Sequence, residues 1–132
     1  MKKMLVLAAA GEAAFGLVLL AYPPIVVRLL FGAEIAGTGL VMSRVAGIAL
    51  IALGVACWPG IAADGNPSRA LRAMLCYSLL AALYLAYLGI RGEWVGSLLW
   101  PAVAIHGILS ALLGRAFTVG RKDNPWQPRK LE

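Results

Sequence analysis

Three ionisable residues stand inside stretches of this sequence that are otherwise apolar: Glu12, Arg44 and His106. Together they form a proton-handling set: a carboxylate, a guanidinium that stays charged, and an imidazole whose proton exchanges near neutral pH. A charge at the centre of a bilayer costs about 2.5 to 3.5 kcal/mol on insertion scales, so each needs a partner or a purpose. Counted at 1.5 Å per residue from the outer end of each apolar stretch, Glu12 lies about 15 Å deep, Arg44 about 14 Å and His106 about 16 Å. All three are therefore predicted near mid-membrane. Small residues one helical turn away leave room beside them: Ala8 and Gly16 for Glu12, Gly47 for Arg44, Ser110 for His106.

These residues leave two roles open. One is structural: a Glu12 to Arg44 ion pair that staples the first two spans, with His106 donating to a backbone carbonyl or to Ser110. Breaking such a buried pair costs about 3 to 5 kcal/mol, so it fixes helix register whether or not anything binds. The other is a polar pocket in which Arg44 fixes an anionic or carbonyl group, Glu12 balances it, and His106 exchanges a proton. Tyr77, Ala81, Tyr84 and Leu88 share a stripe one span further on, where each tyrosine serves as packing with one hydrogen bond or as a ligand contact. Trp100 is a further aromatic expected to line such a pocket.

The elements that must carry these groups follow from composition. Of 132 residues, 61% are hydrophobic and 14% charged, which is too apolar for a soluble domain. Four stretches, 4–22, 35–58, 70–90 and 95–114, each approach the roughly 20 residues that cross a bilayer core of about 30 Å. Alternating ten-residue strands of a barrel are absent from the sequence, leaving helices as the form that satisfies the backbone in lipid. The sequence thus predicts an all-α, integral membrane bundle of four transmembrane helices. It forms one domain over 1–114, followed by a basic tail over 115–132 that closes on Leu131 and Glu132, read as a cloning remnant. Lys2 and Lys3 before an apolar run resemble a signal peptide, but the length of the run and Glu12 within it favour a first spanning helix.

A net charge of +6 suggests nucleic acid only if the basic residues share a surface, and they do not. Lys2, Lys3, Arg69, Arg72, Arg115, Arg121, Lys122, Arg129 and Lys130 fall on one predicted side, Arg28 and Arg91 on the other. The bias places both termini and the loop between the second and third spans in the cytoplasm, with some attraction to anionic lipid.

Pro23-Pro24 ends the first span, and Ile25, Val26, Leu29 and Leu30 then share a face opposite Arg28, so 25–31 reads as an interfacial helix or, failing that, a capping loop. Gly39, Ser43, Gly47 and Gly54 on the second span, and Gly107 and Gly114 on the fourth, mark faces for close helix packing. Their matching seven-residue spacing hints at a parallel internal repeat. Asn66 or Ser68 is the expected N-cap of the third span, and Pro101 an expected kink in the fourth. Cys57 and Cys76 have no CxxC spacing and read as free, buried thiols. No metal-ligand cluster, phosphate loop or catalytic triad is recognisable, so no catalytic residue and no metal is assigned.

Gly16, Pro23-Pro24, Leu30-Phe31-Gly32, Arg44-Val45-Ala46-Gly47 and Leu53-Gly54, taken in that order, resemble the small four-helix bacterial membrane proteins of the DoxX-like group over the first half of the chain. The resemblance implies a fold and a bacterial inner membrane more than an activity; some members of that group are linked to quinone-coupled sulfur oxidation. Three functions are compatible with these features. The first is an accessory protein holding a lipid-like or quinone-like molecule among Glu12, Arg44, His106, Tyr77, Tyr84 and Ser110. The second is a dimeric proton-coupled transporter, similar to the small multidrug exporters in its lone glutamate on the first helix, with Arg44 expected to neutralise that glutamate. The third is an assembly subunit of a larger membrane complex, docked through the Gly39, Ser43 and Gly47 face or through Arg121, Lys122, Trp126, Arg129 and Lys130. No nucleic-acid partner is expected.

Overall fold

Pro23 and Pro24 supply no amide hydrogen to the helix before them, and they divide the first two elements of the chain. In the computed structural model, which describes residues 2–58 and 67–122, α1 (Lys2–Ala21) ends just before them and α2 (Pro23–Phe31) begins on them. Proline in the first helical turn loses nothing, because amides there have no partner within the helix. Gly32 closes α2 in the left-handed conformation with φ +67°, its amide donating to the Arg28 carbonyl at 2.9 Å. The interfacial segment expected over 25–31 is therefore a helix. Its buried face is carried by Pro23 and Val26.

Three longer helices follow: α3 (Thr38–Ala56), α4 (Pro67–Arg91) and α5 (Leu99–Lys122). Every described element is helical, and α1, α3, α4 and α5 are each long and apolar enough to cross a membrane. Their boundaries differ from the hydropathy reading in informative ways. Gly37, with φ +55°, holds the chain outside helical geometry, so α3 starts three residues later than position 35. Ser68 lies inside α4 and is not its cap; Asn66 lies outside the described residues. At the far end α5 continues past position 114 to Lys122, so Arg115 belongs to a helix and not to a tail. There Arg72 stacks over the Phe117 ring, 5.2 Å from its centroid, tying the start of α4 to the end of α5.

The late start of α5 has a specific cause. Residues 95–98 are apolar enough to be helical, but the Gly96 amide donates to the Leu30 carbonyl at 2.9 Å and the Leu98 amide to the Leu29 carbonyl at 2.8 Å. Those carbonyls end α2 and have no partner within it. The connection before α5 is thus a clasp on α2. It works only because position 96 lacks a side chain: a Cβ there would strike the Leu29 carbonyl oxygen. Gly96→Ala is expected to destabilise the protein by about 2 kcal/mol through this overlap. Amide exchange at Leu98, measured by mass spectrometry on peptic fragments, should then accelerate at least tenfold, and an unchanged rate would remove the clasp.

The helices associate as two pairs. α1 and α3 run antiparallel with backbones in direct approach: a Cβ on Gly47 would lie 2.7 Å from the Gly16 carbonyl oxygen, and one on Gly54 would lie 2.6 Å from that of Ala9. In lipid no hydrophobic drive separates helix from solvent, so this packing and its dispersion energy hold the pair. α4 and α5 form the second pair, while α3 makes at most marginal contact with either of them. The pairs meet mainly at one end, where Leu5, Ala8, Ala9, Cys57, Ala70, Leu71, Met74 and Leu113 form a buried cluster. The Cys57 thiol donates to the Ala70 carbonyl there at 3.6 Å, whereas Cys76, expected to be buried, is exposed. This core end gathers the start of α1 and the end of α5. Toward the α2 end the pairs diverge.

Two other expectations change. A Cβ on Gly107 would meet nothing within 4 Å, and one on Gly114 only the tip of Leu75, so neither makes the close approach seen at Gly47 and Gly54. The matching glycine spacing of α3 and α5 is therefore not matched by packing. Gly39 faces only the Ile35 side chain of its own connection.

Candidate functional site

Where the two pairs diverge they enclose a cavity of about 760 Å³. Each element contributes a wall: Phe15 and Leu19 from α1, Val26 and Phe31 from α2, Ser43 and Ala46 from α3, Tyr84 and Leu85 from α4, and Ala102 and Ile105 from α5. Pro101 also lines it. α2 crosses the end remote from the core, held in place by the clasp. On the flank between α3 and the α4/α5 pair the helices do not close on each other. Tyr84, 62% exposed, and Ile105, 58% exposed, stand at the cavity and at the surface together. Where the four long helices cross a bilayer as a single copy, that flank faces the lipid.

The floor of the cavity is polar. Glu12, only 5% exposed, comes from α1, Tyr77 from α4 and His106 from α5. Glu12 Oε1 stands 3.8 Å from His106 Nδ1, an ion pair whenever His106 carries its second proton. Tyr77 is close enough to the Glu12 carboxyl for their side chains to interact, and its ring meets the His106 imidazole edge to face at 5.8 Å between centroids. His106 Nδ1 is buried without a hydrogen-bond partner. One to two turns below begins the apolar core, with Ala8 four residues before Glu12, Met74 three before Tyr77 and Leu113 seven after His106. The three polar groups are thus sealed on one side and open to the cavity on the other.

Three of the six residues expected at the site are brought together here, Glu12, Tyr77 and His106, and Tyr84 lines the wall above them. Ser110 does not reach the cavity: its hydroxyl donates to the His106 carbonyl at 2.7 Å, a bond along its own helix. Trp100 is also outside, packed over Gly89 on α4. Ser43 lines the cavity instead of packing α3 on another backbone. The fully buried Ser78, whose hydroxyl has no hydrogen-bond partner, carried no sequence signal and does not line the cavity.

Arg44 is the principal correction. It is exposed, lies outside the cavity lining, and forms no ion pair with Glu12, whose partner is His106. The reason is geometric: successive side chains on a helix are turned by about 100° about its axis, so Ser43 reaches the cavity while Arg44, the next residue, is turned away from it and exposed. Arg44→Gln is accordingly expected to leave the affinity of any molecule held in the cavity within twofold of wild type. A titration showing a tenfold loss would return Arg44 to the site.

The chain is thus an all-helical protein with four helices suited to a membrane, built around an apolar cavity with a carboxyl, a phenol and an imidazole at its floor. Among the described residues no group of three or more His, Cys, Asp or Glu is placed to hold a metal ion. Compared with known family models, curated proteins and solved structures, the sequence matches none.

Proposed function

We propose that this is a bacterial inner-membrane protein, with both termini cytoplasmic, that holds a lipid-like or quinone-like molecule in its cavity and serves as an accessory subunit. The observation that carries the reading is the pairing of one large apolar cavity with one small polar floor, the arrangement that suits an apolar body bearing a single polar group. The open flank between α3 and the α4/α5 pair supports it by giving such a molecule a way in from the bilayer. Glu12 accepts a hydrogen bond, Tyr77 donates one, and His106 does either according to its protonation. A four-helix architecture is also what the resemblance to the DoxX-like group implies.

Native mass spectrometry of protein released gently from membranes tests this. The expected result is a stoichiometric amphiphile retained by the wild type and lost from the Glu12→Gln, Tyr77→Phe double variant. A wild type that carries nothing, and gains no thermal stability from added quinone or lipid, would end the proposal.

One observation favours a second reading, a dimeric proton-coupled transporter: Glu12 is paired with a residue that itself carries protons and not with a permanent cation. Proton flux in liposomes separates the two. Flux abolished by Glu12→Gln supports transport, and no flux under any imposed gradient removes it.

A further inference from the structure

We infer that the cavity takes a lipophilic cation, an amine or onium group on an apolar body, and that the cation displaces one proton from the Glu12–His106 pair. This rests on the reading of the cavity as a binding site and names the charge of what it binds.

The charges around the cavity carry the argument. Among the described residues no lysine or arginine lines it. Arg28 faces a separate pocket on the other side of α2 with Tyr22 and Glu34, and Arg44 lies on the outer flank of α3. The titratable groups facing Glu12 are therefore Tyr77 and Tyr84 from α4 and His106 from α5, while α2 and α3 contribute none. An anionic head would meet a buried carboxyl with no fixed cation to offset it. A cationic head meets that carboxyl together with the aromatic side chains of Phe15, Phe31, Tyr77 and Tyr84, all in the lining.

Proton exchange follows from charge balance. At 3.8 Å, Glu12 and His106 titrate as a coupled pair, and the state that buries no net charge holds one proton, either as carboxylate with imidazolium or as carboxylic acid with neutral imidazole. A second positive charge placed beside this pair is balanced only if that proton leaves to solvent. The floor then reads carboxylate, neutral imidazole and bound cation, again net neutral. The sign is fixed: affinity for the cation rises with pH, tenfold per unit while the pair retains its proton, and falls as pH drops.

Three probes of nearly one shape and different charge test the inference: tetraphenylphosphonium, the neutral triphenylphosphine oxide, and tetraphenylborate. Each is titrated calorimetrically into the full chain in mild detergent at several pH values, in two buffers of different ionisation enthalpy. The expected result is binding of the phosphonium at least tenfold tighter than the oxide, no borate binding, and release of one proton per phosphonium. The proton count is read on the wild type and needs no variant. Glu12→Asp should keep the pH slope and Glu12→Gln abolish it. Equal binding of oxide and phosphonium, or phosphonium binding without proton release, would overturn the inference while leaving the cavity as a site for neutral amphiphiles. Binding of none of the three overturns it as well, and the cavity reading then stands or falls on the molecule that copurifies.

Discussion

Gly47→Leu is expected to abolish the folded protein or lower its midpoint of thermal unfolding by roughly 10 °C, the scale of a loss of about 3 kcal/mol. A Cβ at this position falls 2.7 Å from the Gly16 carbonyl oxygen and 2.8 Å from the Leu20 amide nitrogen. Both are backbone atoms of α1, so no rotamer change relieves the overlap and the helices must move apart. Since α3 is held almost entirely by α1, separating them releases α3 from the bundle. The contrast is Gly107→Ala, where the added methyl meets nothing within 4 Å. Replacing glycine by alanine within a helix favours the helix by about 1 kcal/mol, so that variant should match or exceed wild-type stability. Circular dichroism melts in one detergent suffice to compare them. If both glycines respond alike, the pairing of α1 with α3 is not the contact that holds the bundle.

Ala102→Trp should lower the affinity of the cavity for its amphiphile at least a hundredfold while leaving the fold intact. Ala102 lines the wall beneath α2, and an indole directed into about 760 Å³ of space takes volume from the ligand and not from neighbouring side chains. The added apolar contacts favour the folded state, so the melting temperature should hold or rise. Loss of binding with stability retained is an outcome that general damage cannot produce. Binding that survives the substitution would move the ligand to another part of the molecule.

The four long helices and the short amphipathic one were legible in the sequence because each depends on local properties: the length of an apolar run, a double proline, the spacing of Ile25, Val26, Leu29 and Leu30. The ends of the helices were less so. Where α5 begins is decided by Gly96 and Leu98 donating to carbonyls more than sixty residues earlier, which no local pattern records. The site divides along the same line. Counting residues from a helix end gives a height in the membrane, and it placed Glu12, Arg44 and His106 at similar heights. It gives no azimuth. Arg44 and Ser43 are neighbours in sequence yet occupy opposite flanks of the α3 contact with α1, and only Ser43 reaches the cavity. Glycine spacing had the same weakness: Gly47 and Gly54 face a helix, while Gly107, with the same spacing to its own partner glycine, faces open space.

The two helix pairs are also of unequal length. The apolar spans of α1 and α3 are 19 residues each, whereas those of α4 and α5 are 24 and 21. At 1.5 Å per residue the first pair matches a hydrocarbon layer of about 30 Å, and the longest span exceeds it by about 6 Å. A span longer than the layer accommodates by tilting, and one that matches has no reason to. α4 and α5 are therefore the helices whose tilt is expected to respond to bilayer thickness, and because the pairs meet mainly at the core end, that response would be felt as a change in the width of the open flank.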